Sequence, residues 1–155
     1  VANAVTRLIA TLAWRREYIL DSHTAEYISP ENATGKQVIM GYDFAARPCL
    51  YLNPKLQNTP RSEKQIQHLV FSLERAIELM PPGQETIALL INYQHAAQGP
   101  STGQGREVLK ILQSHYPERL GKSLVINGNF SEPSNPPHFP VLDVRIVLLD
   151  IMPAC

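Results

Sequence analysis

The sequence is short of the features that announce most chemistries. Its two cysteines, Cys49 and Cys155, are too few for a disulfide framework and suit a reducing compartment. The 14 basic and 14 acidic side chains cancel, which removes any global electrostatic argument for nucleic acid, whose phosphates call for a basic face. No apolar run approaches the ~20 residues of a membrane span. The apolar stretch 141–152 is interrupted by Asp143, Arg145 and Asp150. A secretory pattern is missing as well, since Arg7 sits where its apolar region would lie. The triplets Asn32-Ala33-Thr34 and Asn129-Phe130-Ser131 are therefore read as chance matches to the glycosylation signal.

Catalytic and cofactor signatures are equally scarce. The loop Gly99 to Arg106, GPSTGQGR, lacks both the Lys-Ser/Thr of a P-loop and the G-x-G-x-x-G spacing. No G-x-S-x-G elbow occurs. His23, His68, His95, His115 and His138 are scattered without metal-ligand spacing. His68 is read as a solvated or hydrogen-bonded side chain, and Cys49, after Pro48, as an inert buried thiol. The expectation is a protein that is not an enzyme and holds no metal or cofactor.

What the sequence does contain is one ordinary globular composition, 155 residues with 44% hydrophobic and 18% charged side chains, enough for a single domain with a core. Val1, Val5, Leu8, Ile9 and Leu12 define an amphipathic helix to about Tyr18, with Trp14 as a packing residue. Asp21 to Lys36 predicts a short helix or turns and then a loop. Strands follow at Gln37 to Met40 and Cys49 to Leu52, separated by a turn at Gly41-Tyr42-Asp43. Ser62 and Gln65 fit a capping box for a helix whose stripe is Ile66, Leu69, Val70, Leu73, Ile77 and Met80. Pro81-Pro82-Gly83 ends it. Thr86 to Tyr93 predicts a central strand buried on both faces.

The most informative stretch is Gly105 to Asn127. Val108, Leu109, Leu112 and Tyr116 mark a helix face, and Pro117 ends the helix. Glu118-Arg119 form a charged corner, Leu120-Gly121 let the chain turn, and Leu124-Val125-Ile126 suit a strand. Strand, helix, strand, helix, strand from Cys49 onward implies parallel pairing. At the corner, Arg119 can bind phosphate oxygens bidentately and Glu118 can accept from sugar hydroxyls. A structural salt bridge, or Arg119 capping the preceding helix, remains the alternative.

These residues also carry a resemblance. His115-Tyr116-Pro117-Glu118-Arg119-Leu120-Gly121-Lys122 with Leu124-Val125-Ile126-Asn127 is similar to the central motif of the CRAL-TRIO lipid-binding family. Trp14-Arg15-Arg16-Glu17-Tyr18, Gly35-Lys36, Gly41-Tyr42-Asp43, Arg47-Pro48 and Leu89-Leu90-Ile91-Asn92 match in the same order. The resemblance implies an α/β fold, a mostly parallel sheet floor with flanking helices, enclosing an apolar pocket for a phospholipid (phosphatidylinositol or phosphatidylcholine). It implies head-group recognition by Glu118 and Arg119, Arg119 either contacting phosphate or buttressing the site, with Tyr51, Leu90, Tyr93, Val125 and Asn127 as candidate lining residues. The implied setting is cytoplasmic, with phospholipid as ligand, transient contact with a membrane surface, and no nucleic acid.

The pattern stops after Asn127. Pro133, Pro136, Pro137, Pro140 and Pro153 are too dense for regular structure. The family's gate helix, its later strands and a lysine of the inositol site have no equivalents. Ala96-Ala97 stand where relatives often carry serines. The helix at Val1 also starts without a cap. The expected organisation is a partial domain over 1–127, truncated at both ends, followed by a proline-rich tail over 128–155. Such a piece either still carries lipid or acts only through protein contacts.

Overall fold

A strand sends successive side chains to opposite faces, so a sheet covered on one side reads as alternating burial. The computed structural model of the chain, which describes residues 2–18, 23–60, 62–95 and 102–126, has this character. Helix α1 (Ala2–Glu17), helix α2 (Ala25–Asn32), strand β1 (Gln37–Tyr42), strand β2 (Pro48–Leu52), helix α3 (Glu63–Glu78), strand β3 (Ile87–Asn92), helix α4 (Thr102–His115) and strand β4 (Leu120–Ile126) follow in order. The sheet order is β1-β2-β3-β4. β1 runs antiparallel to β2, and β2, β3 and β4 are parallel. Asn127, Ala96-Ala97 and the tail 128–155 lie outside the described residues.

The core lies on one face. Leu50, Ile87, Leu89 and Ile91 from the strands meet Val70, Leu73 and Ala76 of α3 and Tyr116 after α4. Trp14, Ile111, Leu112, Leu120 and Val125 pack around them. Helix α2 packs against α3 through the buried Ile28. β3 is central, yet it alternates buried and half-buried positions. The expectation of burial on both faces is thus corrected: among the described residues, the helices cover one side only.

Two irregularities set which side chains face where. β1 continues through Gly41 and Tyr42, and the pairing with β2 shifts by one residue between Ile39 and Tyr42. Gly41 adopts φ 100° there, a conformation natural to glycine in a bulge. The bulge turns Tyr42 toward the helices, where its hydroxyl donates to the Leu79 carbonyl at 2.8 Å. The turn proper starts at Asp43, whose Oδ1 accepts from the amides of Ala45 and Arg47. In β4, the pairing with β3 shifts between Ile87 and Ala88, so that Leu120 pairs Ile87 and Lys122 pairs Ala88. Leu120-Gly121 therefore belong to the strand. Gly121 is the extra residue, and a Cβ there would stand 2.5 Å from Thr86 Oγ1 and 2.9 Å from Arg47 Nε.

Polar residues fix the α2 end. Lys36 and Glu31, each 3% exposed, pair at 2.5 Å. Thr59 Oγ1 donates to Glu31 at 2.7 Å, and Lys36 also donates to Asn58 at 3.1 Å. Burial alone would raise the Glu31 pKa, but the hydrogen bonds from Lys36 and Thr59 bring it below the ordinary value. The loop so held takes Gln65, whose amide donates to the Thr59 and Pro60 carbonyls, and Ser62 makes no side-chain cap. The expected capping box does not form. His68 is 1% exposed, not solvated, and its Nδ1 has no partner among the described residues. Pro30 sits inside α2, and the Glu26 carbonyl that its missing amide would bond instead accepts from the Ser29 hydroxyl.

α1 is amphipathic in the reverse sense to most surface helices. Its polar side faces the domain: Thr11 donates to the Ser114 carbonyl at 3.1 Å, Arg7 to Gln113, and Arg15 makes a two-pronged pair with Glu74. Val5, Leu8, Ile9 and Leu12 are 51–62% exposed. Trp14 alone brings large apolar area inward, stacked on His115 at 4.1 Å.

Two predictions follow from this packing. Gly121→Ala should lower stability by roughly 1–3 kcal/mol through overpacking; a urea midpoint equal to the parent's would contradict the close approach. Burial, aided by Lys36, holds the His68 pKa down at about 4 from 6.5. The unfolded chain thus binds its proton first, and stability falls as pH drops from 6.5 to 4. This costs on the order of 3 kcal/mol. Melting curves of His68→Gln should lose most of that slope, whereas an unchanged slope would assign it elsewhere.

Candidate functional site

The corner is built by the chain stopping one helix and entering one strand. Pro117 cannot continue α4, and Tyr116 anchors the corner, buried, with its hydroxyl on Glu74 at 2.6 Å. Glu118 takes φ 59°, a left-handed conformation costing a non-glycine residue on the order of 1 kcal/mol. Its side chain is exposed. Arg119 makes no ion pair with Glu118, nor does it cap α4. Its guanidinium donates to the Glu85 carbonyl at 2.9 Å, and its own carbonyl accepts from Ile87 at 2.7 Å. Arg119 therefore ties the corner to the chain entering β3.

Glu118 and Arg119 line an open groove of about 670 Å³ together with Arg7, Thr11 and Arg15 of α1, Glu74 and Ile77 of α3, and Glu85. Burial by itself would raise the Glu74 pKa, but the hydrogen bonds from Arg15 and Tyr116 outweigh it and leave Glu74 ionised below the ordinary range. Burial and the adjacent carboxylate raise the Tyr116 pKa, so its hydroxyl stays a donor. The groove thus holds a satisfied Glu74–Arg15 pair and two exposed carboxylates, Glu85 and Glu118.

The candidate lining residues do not share a surface. Tyr51 pairs Leu90, and Leu90 pairs Leu124, which puts these three on the sheet face away from the helices. The Tyr51 hydroxyl accepts from Asn92 at 3.1 Å. Tyr93 and Val125 pack against the core on the helix face, so they line no pocket shared with Tyr51 and Leu90. Asn127 lies outside the described residues. The open face further gains Val38, Leu124, Ile126 and Lys122, whose facing the sequence left undecided. Their alternation depends on the β4 bulge, and a bulge leaves only a glycine as its trace in sequence. Glu118 and Arg119 stand beside the helix layer, one strand end away from this face.

Among the described residues, no cluster of histidine, cysteine or carboxylates is placed to hold a metal ion. No helix there is long and apolar enough to cross a membrane. Cys49 is buried, its thiol pKa raised by burial first and by Asp43 second.

Comparison with known proteins places this geometry. The profile of the CRAL/TRIO domain matches residues 32–131. A CRAL-TRIO domain-containing protein of Schizosaccharomyces pombe is 59% identical over 82% of this chain and 13% of its own length. The phosphatidylinositol transfer protein PDR17 of Saccharomyces cerevisiae is 40% identical over 81% of this chain and 40% of its own. The chain thus spans well under half of either relative. The crystal structure of Sfh5 superposes with a TM-score of 0.55 over 81% of this chain and 49% of that one, at 15% identity, a likeness of fold. With the profile covering most of the chain and the mixed sheet backed by helices, the chain belongs to the CRAL/TRIO domain family.

Proposed function

We propose that this chain binds a phospholipid, phosphatidylinositol or phosphatidylcholine, and carries it between membranes, as cytoplasmic cargo with transient contact at the membrane surface. The carrying observation is the sheet face bearing Tyr51, Leu90, Leu124 and Ile126, apolar and without helical cover among the described residues. Each methylene laid on such a surface is worth about 0.8 kcal/mol, which offsets its removal from a bilayer. The relative PDR17, a phosphatidylinositol transfer protein, supports the ligand class. Glu118, exposed at the groove rim, is proposed to accept from head-group hydroxyls. Arg119, engaged with Glu85, is proposed to hold the corner. The chemistry is binding and release, with no bond made or broken.

A second reading has one observation in its favour. The exposed stripe of Val5, Leu8, Ile9 and Leu12 on α1 is what a partial domain would show if it acted only through protein contacts. The two readings separate experimentally. Native mass spectrometry of freshly purified protein should show phospholipid adducts. A well-folded monomer free of lipid, or a poorly soluble chain with broad unfolding, would favour the second. Leu90→Glu on the open face should abolish the adducts while shifting stability by less than about 1 kcal/mol. Leu89→Ala, in the core, should instead cost about 2–5 kcal/mol. Glu118→Ala should weaken capture of phosphatidylinositol more than phosphatidylcholine; equal loss of both would remove Glu118 from recognition.

A further inference from the structure

The open sheet face carries one charge in its registered rows. Cys49, Ala88 and Lys122 form one row, and Tyr51, Leu90 and Leu124 the next. Asn92 and Ile126 form the third, and Val38 extends the middle row across β1. Lys122 is exposed and makes no ion pair or hydrogen bond among the described residues. Its field reaches this face, where it acts on the Cys49 thiol against burial and against the larger effect of the Asp43 carboxylate. The row assignments place no carboxylate on the face itself, and Asp43, in the turn between β1 and β2, is the acidic group whose field also reaches Cys49.

Lys122 stands there because of the bulge. With Gly121 as the extra residue, Leu120 stays on the helix face beside Ile87 and Lys122 pairs Ala88 on the open face. Regular pairing would turn Lys122 into the apolar core, where an unpaired ammonium is costly. From Lys122, Leu124 and Ile126 continue on the same face, a strip of roughly 13 Å along the strand. A cation at one end of an apolar strip matches an amphiphile with an anionic head.

We propose that Lys122 contacts the head group on the open sheet face and selects a lipid whose head carries net negative charge, with hydrocarbon lying along Leu90, Leu124 and Ile126. This deepens the lipid-carrier reading and rests on it. It gives phosphatidylinositol precedence over the zwitterionic phosphatidylcholine. It also differs from the usual service of a lysine on an outer strand, which is to discourage edge-to-edge pairing.

The test is competition. The chain is incubated with vesicles holding equal amounts of phosphatidylinositol and phosphatidylcholine with identical acyl chains, and bound lipids are counted by native mass spectrometry. The parent should favour phosphatidylinositol. Lys122→Gln should lower that preference roughly tenfold, the scale of one charged hydrogen bond, with the melting temperature unchanged, and Lys122→Arg should retain it. Equal preference in parent and Lys122→Gln overturns the assignment while leaving the lipid-carrier reading intact. Absence of any lipid on the parent overturns both. Titration with inorganic phosphate alone should show no binding that depends on Lys122; such binding without lipid selectivity would identify a free-anion site and overturn the lipid assignment.

Discussion

The structure depends on a constraint of the strand itself: neighbouring side chains cannot share a face. Once α1, α3 and α4 gather the odd-numbered residues of β3 into the core, Ala88, Leu90 and Asn92 are committed to the other side. The same holds across the parallel register for Tyr51 and Leu124. A two-layer unit therefore has a sealed face and an available one, and each bulge decides for one strand which side chains belong to which. Gly41 sends Tyr42 to the helices, and Gly121 keeps Lys122 away from them.

Much of this was legible in the residues. The stripe from Ile66 to Met80, the aliphatic run before Tyr93 and the proline after Tyr116 each act over a few neighbouring positions, and periodicity reads such local rules well. The parallel order also followed, because a helix between two strands leaves little other topology. The facing of the strands did not. Ile87 to Ile91 is aliphatic throughout, so the strand reads as buried twice, and only the arrangement of the helices distinguishes its sides. Ser62 and Gln65 had the spacing of a capping box, but a loop held by the buried Lys36–Glu31 pair offered Gln65 nearer carbonyls. His68 looked polar enough for solvent. It is buried because its helix packs both α2 and the sheet.

The charged corner shows the same limit from the functional side. The sequence put Glu118 and Arg119 together, and a resemblance gave them a joint role. Geometry divides the work: Arg119 is spent on the Glu85 carbonyl, while Glu118 stands exposed in a left-handed turn. Adjacent residues at a corner point apart, which no spacing rule reveals.

The way α1 is fastened bears on how the molecule is watched. Its hold comes from directional bonds to Gln113, Ser114 and Glu74 and from one stacked indole, with its aliphatic side facing water. Trp14 is the sole tryptophan in the chain, so intrinsic fluorescence reports the seam between α1 and α4, while the amide circular dichroism averages over every element. A helix held by hydrogen bonds and an ion pair responds to salt and pH differently from a sheet held by apolar area. Trp14 also packs against the core cluster, so a fluorescence midpoint that precedes the circular-dichroism midpoint would mark the undocking of α1, and coincident midpoints would mark one cooperative event.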